Sequence, residues 1–158
     1  MIFAIYSADQ QTVERLVANP DSAEKFLEDV PDEDICDIDK SWNALHFLLT
    51  GDSWGGPFPG GFIMAGNPIG DGTGWGYGPL RYFSAAQVAE VDDVLRQTTA
   101  TDLIARSNAT AMNEAEIYPE PWNDPIDEGG YLSTNYQKMQ RFVAKARSGG
   151  RCLLVLLS

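Results

Sequence analysis

Apolar residues recur at helical spacing in some stretches of the chain and in short uninterrupted runs in others. Val13, Leu16 and Val17 lie three and four residues apart, as on one face of a helix. Residues 1–6 and 152–157 form short apolar runs, which are typical of strands that enter a core. Helical stretches between short apolar runs predict an α/β fold.

The segment 39–51 predicts a helix with an unusual apolar face. Trp42, His46 and Leu49 share that face, Asp39 can cap the start, and Gly51 is suited to the position after the end. Ser84 and Gln87 have the spacing of a capping box at the start of a later helix. We expect further helices near residues 21–27, 84–95, 102–106, 110–116 and 133–147.

The composition changes between residues 51 and 79, which hold 11 of the 15 glycines and four of the nine prolines. We expect a long ordered central loop here, because its Trp, Phe and Tyr residues are too apolar for a solvated linker. Residues 62–65 have strand character within it, and residues 80–83 return to strand. The alternation of glycine with aromatic residues over 70–78 suits either close backbone packing or a pocket wall.

The last apolar run lacks alternation, which is typical of a central strand covered on both faces. We therefore expect a three-layer αβα sandwich with a mixed sheet. The length of 158 residues corresponds to one domain, which would span residues 1–158.

The charge is strongly negative and unevenly placed. Eleven Lys and Arg against 23 Asp and Glu leave a net charge of −12, which argues against nucleic acid and anionic membranes as partners. Residues 21–39 hold nine acids and residues 114–128 hold six, whereas the basic residues cluster after 138. The first run is either a solvated acidic loop beside a basic helix face or a patch for a basic protein partner. The candidate contacts in that patch are Asp32, Glu33, Asp34 and Asp37.

The ends of the chain and its two cysteines predict the compartment. The first residues lack the basic stretch and the length of a signal peptide. Cys36 and Cys152 cannot form a disulfide framework, so reduced thiols and a cytoplasmic location are expected.

The sequence contains partial matches to catalytic and cofactor motifs, but each lacks a residue or a structural context that the motif requires. Residues 51–55 match G-x-S-x-G, but a predicted helix precedes Ser53, whereas that motif needs a strand. The glycines of 70–78 fit neither G-x-G-x-x-G nor the phosphate-binding loop. One histidine and two distant cysteines cannot build the usual zinc site, and the acids from Asp32 onward lack the glycine of an EF-hand. No metal, cofactor or catalytic constellation is therefore predicted.

His46 is nevertheless the best candidate for acid–base chemistry, because histidine is the side chain whose ordinary pKa lies near neutrality. It can equally be a buried, hydrogen-bonded core residue. Helix ends and long loops are where pockets form, so Trp42, Arg81, Glu116 and Tyr118 are candidates to line a pocket with it.

Several blocks resemble the bacterial YfbM-like family, whose function is unknown. The most specific is residues 37–51, with its Asp-Lys-x-Trp, Leu-His and Leu-Thr-Gly elements. Residues 78–83, residues 112–119, the first strand and the final helix, turn and strand match in order. The resemblance covers nearly the whole chain and implies a three-layer αβα sandwich, but it implies no reaction.

Three functions follow as hypotheses, of which the last is an adaptor whose terminal basic helix meets an acidic partner. The first is a small cytoplasmic binding protein that contacts a basic protein partner through its acidic surface, as an immunity protein contacts a toxin. The second is a small-ligand-binding protein or enzyme with a pocket around His46.

Overall fold

Seven α-helices and five β-strands form in the computed structural model, which describes residues 1–71 and 76–158. The strands are β1 Phe3–Ala8, β2 Ile35–Asp37, β3 Asn67–Ile69, β4 Leu80–Phe83 and β5 Cys152–Leu157. The helices are α1 Gln10–Ala18, α2 Ala23–Asp29, α3 Trp42–Thr50, α4 Ala85–Arg96, α5 Ala100–Ile104, α6 Ala109–Glu114 and α7 Tyr131–Ser148.

Local capping chemistry places the helix boundaries. The Asp9 carboxylate accepts a hydrogen bond from the Thr12 backbone N–H at 2.7 Å and so begins α1. Ser84 and Gln87 form the predicted capping box of α4. Gly51 ends α3 in the left-handed conformation, with φ of 82°, as predicted.

The sheet has the strand order β2-β1-β5-β4-β3, and every pairing between the described strands is antiparallel. The α/β class is confirmed, and the predicted mixed sheet is wrong. An apolar run reports how many faces of a strand are covered, but strand direction depends on how the connections return the chain to the sheet.

The central strand β5 is buried along its whole length, as its pattern predicts. Leu153 and Val155 belong to a hydrophobic cluster that includes residues of α3, α4 and α7. Leu154 and Leu156 alternate with them and belong to a second cluster with residues of α1 and α2. Successive side chains of a strand point to opposite faces, so β5 contributes to both clusters.

The region 51–79 differs from its prediction in two ways. Residues 62–64 form turns, residue 65 is irregular, and the strand of this region is β3, which interrupts the expected loop. Gly66 precedes β3 with φ of 118°, and a Cβ there would lie 3.0 Å from the Cβ of Arg81. Close approach to β4 therefore requires glycine. Residues 72–75 of the glycine–aromatic run lie outside the described residues.

Strand β2 lies where the sequence predicts an acidic loop. Ile35, Cys36 and Asp37 pair with Tyr6, Ile5 and Ala4 of β1. Only Cys36 of the three is fully buried, so the apolar pattern of this edge strand is too short to detect.

Two further observations bear on the expected compartment. Over residues 1–71 and 76–158, no helix combines the length and apolar character that crossing a membrane requires. Cys36 and Cys152 are both free and buried, in different hydrophobic clusters. Burial raises the pKa of Cys36 to about 11, which makes its thiol unreactive near neutral pH.

Candidate functional site

The predicted apolar face of α3 contributes Trp42 to an aromatic cluster, which consists of Trp42, Trp54 and Tyr118. Trp42 and His46 are both fully buried and stand one helical turn apart. The Trp42 ring stacks on Tyr118 with 6.1 Å between ring centroids, and the exposed Trp54 lies 5.7 Å away on a tilted plane. Trp42 and Tyr118, two of the five predicted pocket residues, are thus in contact, with His46 one turn along.

Three nitrogen atoms in and beside this cluster are buried without a hydrogen bond of good geometry among the described residues. They are Trp42 Nε1 and both ring nitrogens of His46. Desolvation lowers the pKa of His46, against the opposing effects of a weak hydrogen bond to the Gly55 backbone and of the Asp52 carboxylate. The imidazole is therefore neutral at neutral pH, with one donor and one acceptor nitrogen.

Asn43 joins the cluster to two loops. Its side-chain oxygen accepts a hydrogen bond from the Tyr118 N–H at 2.8 Å, and its amide nitrogen donates to the Ser53 carbonyl at 2.8 Å. Asn43 itself is buried. Sequence reasoning missed this residue, although a polar side chain inside an apolar helix is a detectable signal because a buried amide needs partners.

Among the described residues, no side-chain hydrogen bond or ion pair connects Arg81 or Glu116 with the aromatic cluster. Arg81 donates to the carbonyl oxygens of Ala65 at 2.8 Å and Ile63 at 3.1 Å, so it holds the turn before β3 against β4. Burial lowers the pKa of Arg81. Glu116 is exposed after the end of α6, with φ of 52°.

Three cavities of about 740, 300 and 400 Å³ lie elsewhere on the described surface. None of these three is lined by any of the five predicted pocket residues. The largest lies between α1, α2 and the end of β1, and its lining includes Asp34.

The predicted interaction residues Asp32, Glu33, Asp34 and Asp37 lie beside basic side chains of the same chain. Asp34 forms an ion pair with Arg151 at 3.1 Å. Two lysines of α7 donate to main-chain oxygens, Lys145 to Glu33 and Lys138 to Asp37. Arg141 also lines the 300 Å³ cavity here. Of the four carboxylates only Asp34 forms an ion pair with a described residue, and the other three have the positive charges of α7 nearby.

The second acidic run, residues 114–128, is contacted by the Met1 ammonium, which donates a hydrogen bond to the Tyr118 hydroxyl at 3.1 Å and not to a carboxylate of the segment. Five carboxylates are exposed and make no ion pair within the described ranges: Glu114, Glu116, Glu120, Asp124 and Glu128. The sixth acid, Asp127, accepts a hydrogen bond from the Leu132 N–H at 2.6 Å at the start of α7. The described side chains leave this segment locally acidic.

Side-chain hydrogen bonds fix the path of this second segment. Asn113 accepts from the Trp122 N–H at 2.7 Å and donates to the Trp122 carbonyl at 2.8 Å. The Trp122 indole donates to the Ile117 carbonyl at 2.6 Å. Together with the Asn43–Tyr118 bond, these contacts preorganise an irregular segment that has no strand or helix of its own between α6 and α7.

Within the part of the chain that the structure describes, no group of three or more His, Cys, Asp or Glu side chains is placed to hold a metal ion. The described geometry therefore offers side chains for hydrogen bonding and for charge attraction.

The chain is similar to a protein family and to a solved structure. A family model described as "Domain of unknown function (DUF1877)" matches residues 1–156. The fold is similar to the crystal structure of YfbM, a protein of unknown function from Escherichia coli, with a TM-score of 0.75 and 23% identity over 100% of both chains. No curated protein matches the chain. The resemblance carried by residues 37–51 is confirmed, and at this identity the structural likeness shows the fold alone.

Proposed function

The chain belongs to the family of the domain of unknown function DUF1877, and because that description assigns no activity, we propose a function from the surface of the chain itself. The protein binds a basic protein partner through its acidic surface. The net charge of −12 attracts such a partner and accelerates encounter at low ionic strength.

The observation that carries this proposal is the segment 114–128, where five exposed carboxylates form no ion pair among the described residues. An unpaired carboxylate loses no existing ion pair when it meets a partner. A segment whose backbone is already fixed loses less conformational entropy on binding. The side-chain hydrogen bonds of Asn113 and Asn43 fix this segment.

The residues Asp32, Glu33, Asp34 and Asp37 form the second part of the proposed surface, with a smaller contribution. Lys138 and Lys145 bond to main-chain oxygens here, so the Asp37 and Glu33 carboxylates are not neutralised by direct pairing with them. The lysines still repel a basic partner, because unit charges a few ångströms apart interact appreciably near a protein surface.

Binding of a lysine-rich synthetic peptide, measured by calorimetry at low and physiological salt, tests the proposal. We expect the affinity to fall as salt rises, because screening shortens the Debye length from about 30 Å at 0.01 M to about 8 Å at 0.15 M. A triple variant with Glu116→Gln, Glu120→Gln and Asp124→Asn should weaken binding by about tenfold at low salt, as loss of about 1.4 kcal/mol does.

The matched control is a second triple variant, with Asp32→Asn, Glu33→Gln and Asp37→Asn. It removes the same formal charge and should weaken binding less. Salt-independent affinity, or equal affinity of wild type and both variants, would overturn the proposal. A pull-down from the source cell extract at the two salt concentrations then identifies the natural partner.

A second candidate function is binding or chemistry of a small ligand at the aromatic cluster around His46. It is favoured by Trp42 Nε1, a buried donor without a partner among the described residues, because such a donor costs about 1–3 kcal/mol, and by the buried His46 imidazole one turn away. A small polar molecule that reaches these atoms recovers that free energy. Arg81 and Glu116 enter this candidate only if the segments that carry them move toward α3.

A fragment screen followed through the indole N–H resonances tests the second candidate. A fragment that binds there should shift the Trp42 resonance and leave that of Trp122, whose indole is already hydrogen-bonded, unchanged. If no fragment shifts the Trp42 resonance selectively, the pocket is rejected.

We also propose the three-layer αβα arrangement and a cytoplasmic location. The division of the core into two clusters that share β5 supports the first, and the two buried free thiols support the second. Fractionation of the source cells tests the location, since recovery outside the cytoplasm would contradict it.

A further inference from the structure

The cavity of about 740 Å³ between α1 and α2 has the size of a small-molecule site. Helix α1 contributes Thr12 and Arg15 to its wall, and α2 contributes Lys25 and Phe26. The lining also includes apolar Val30. The cavity thus combines an apolar surface with charged groups, which is the usual composition of a ligand pocket.

Most charges in this cavity already have partners. Lys25 pairs with Asp29 at 2.8 Å, and Arg151 pairs with Asp34 at 3.1 Å. The Asp9 carboxylate caps α1, and this hydrogen bond to Thr12 lowers the pKa of Asp9. Asp9, Asp34 and Arg151 are thereby engaged within the fold, whereas the Lys25–Asp29 pair is exposed and weak.

Arg15 and Asp21 are the exceptions among the described residues. Both line the cavity, and the side chain of neither makes an ion pair or a hydrogen bond within residues 1–71 and 76–158. A guanidinium and a carboxylate that share one cavity without pairing leave one positive and one negative group available to a ligand.

We infer that this cavity binds a small zwitterion, a free amino acid or a short peptide, with its carboxylate on Arg15 and its ammonium on Asp21. A purely anionic ligand would face the four aspartates of the lining, and a purely cationic one would face Arg15, Lys25 and Arg151. A ligand that carries both charges meets attraction at both groups. Phe26 and Val30 offer contact to an apolar side chain.

The site is separate from the acidic segment 114–128, so it goes beyond the proposed function. The two are distinguishable by experiment, because Arg15 and Asp21 lie outside both triple variants used to test binding of a basic peptide.

Titrations followed by NMR test this inference with free leucine and the tripeptide Gly-Leu-Gly as probes. Each is compared with its N-acetylated form, which lacks the ammonium, and its C-amidated form, which lacks the carboxylate. We expect either cap to weaken binding by about tenfold, as loss of one charge-assisted interaction does. The two probes separate a site for a free amino acid from a site for a peptide.

Two variants assign the charges. Arg15→Gln should weaken the uncapped probe and remove the discrimination against the amidated form, whereas Asp21→Asn should remove the discrimination against the acetylated form. Neither side chain contributes a described bond to the fold, so both variants should fold as the wild type does. Arg141→Gln and Glu90→Gln are matched controls on exposed residues of α7 and α4 that do not line this cavity.

The inference is overturned if no probe binds at millimolar concentration, or if capped and uncapped forms bind equally. Equal losses in the control variants would also overturn it, because the effect would then reflect the overall charge and not this cavity.

Discussion

The two acidic segments, residues 32–37 and 114–128, carry the same kind of charge in different surroundings. In the first, Asp34 pairs with Arg151, and lysines of α7 reach the main chain. In the second, the exposed carboxylates form no ion pair among the described residues, and the backbone is held mainly by amide side chains. The first segment is thus contacted by basic side chains of α7 and Arg151, whereas hydrogen bonds of Asn43 and Asn113 dominate in the second.

This difference shows that the number of acids in a stretch does not indicate its availability to a partner. The segment 21–39 holds nine acids and draws attention first in the sequence. Its charge is partly offset by Arg151, Lys138 and Lys145, which are distant along the chain but adjacent in the fold. Long-range packing thus decides which acidic segment has basic side chains beside it.

The largest expected effect comes from removing the side-chain hydrogen bonds of Asn43, one of which fixes the backbone of the segment 114–128 at Tyr118. Asn43→Ala leaves the Tyr118 N–H and the Ser53 carbonyl without their partner, and each unsatisfied group costs about 1–3 kcal/mol. We expect the free energy of unfolding to fall by about 2–3 kcal/mol in urea denaturation. Peptide binding should weaken as well, although no charge is removed.

Asn67→Ala is the matched control for that variant. Asn67 is exposed, and its two side-chain hydrogen bonds are long, at 3.3 and 3.4 Å. Removing its side chain should therefore change the free energy of unfolding by less than about 0.5 kcal/mol. Equal destabilisation by the two variants would contradict the anchoring role of Asn43.

The second effect concerns pH and tests the interior of the same region. Burial lowers the pKa of His46 in the folded state, so below its ordinary value of about 6.5 the unfolded chain takes up a proton that the folded chain does not. Stability should therefore fall as the pH decreases below about 6.5, by at most about 1.4 kcal/mol per pH unit. Urea denaturation at a series of pH values measures the slope.

His46→Gln should flatten that dependence, because His46 is the single histidine of the chain. Asp9 and Asp93 also have lowered pKa values, but their stabilising effect is present above their ordinary pKa and is lost only in more acidic solution, below about pH 4. An unchanged slope in the variant would show that other groups titrate in this window.

The third effect concerns the ion pair and hydrogen bonds that Arg151 forms beside the segment 32–37. Arg151→Met removes hydrogen bonds to the Ser7 hydroxyl and carbonyl, both at 3.0 Å, and the ion pair with Asp34. Because Arg151 and Asp34 are partly exposed, we expect a loss of about 1 kcal/mol in the free energy of unfolding. Arg141→Met, on the exposed face of α7, should change it little, and a similar loss there would contradict the specific role of Arg151.

The smallest effect has the opposite sign. The triple variant Glu116→Gln, Glu120→Gln and Asp124→Asn removes self-repulsion from a chain of net charge −12 and should stabilise the fold by a few tenths of a kcal/mol. The gain should shrink as salt rises. Destabilisation at low salt, measured by thermal unfolding, would show that these carboxylates have cationic partners after all.

Much of the local structure is predictable from the residues themselves. The caps at Ser84 and Gly51 depend on contacts within one turn, and the period of Val13 and Leu16 reports a helix directly. Val17 shares that period and yet is exposed, because only part of the stripe faces the second cluster. Strand β2 escapes prediction, since its three residues are too few to define a period.

The candidate site is predictable only in its core. The segment 37–51 indicates Trp42 and His46, and the structure brings Trp42 into contact with Tyr118. Arg81 instead donates hydrogen bonds to the carbonyl oxygens of Ala65 and Ile63. A buried guanidinium needs acceptors, and the turn before β3 provides them.

The sequence by itself determined the helices, the two-sided burial of β5 and the total charge, because capping, periodicity and composition are local or additive properties. Only the tertiary structure decided the antiparallel direction of every described strand pair and which carboxylates keep a cation. The reason is the range of the interactions: Arg151 and Asp34 are 117 residues apart in sequence, and Tyr118 and Asn43 are 75 apart. No local pattern encodes such a contact, because it exists only after the chain has packed.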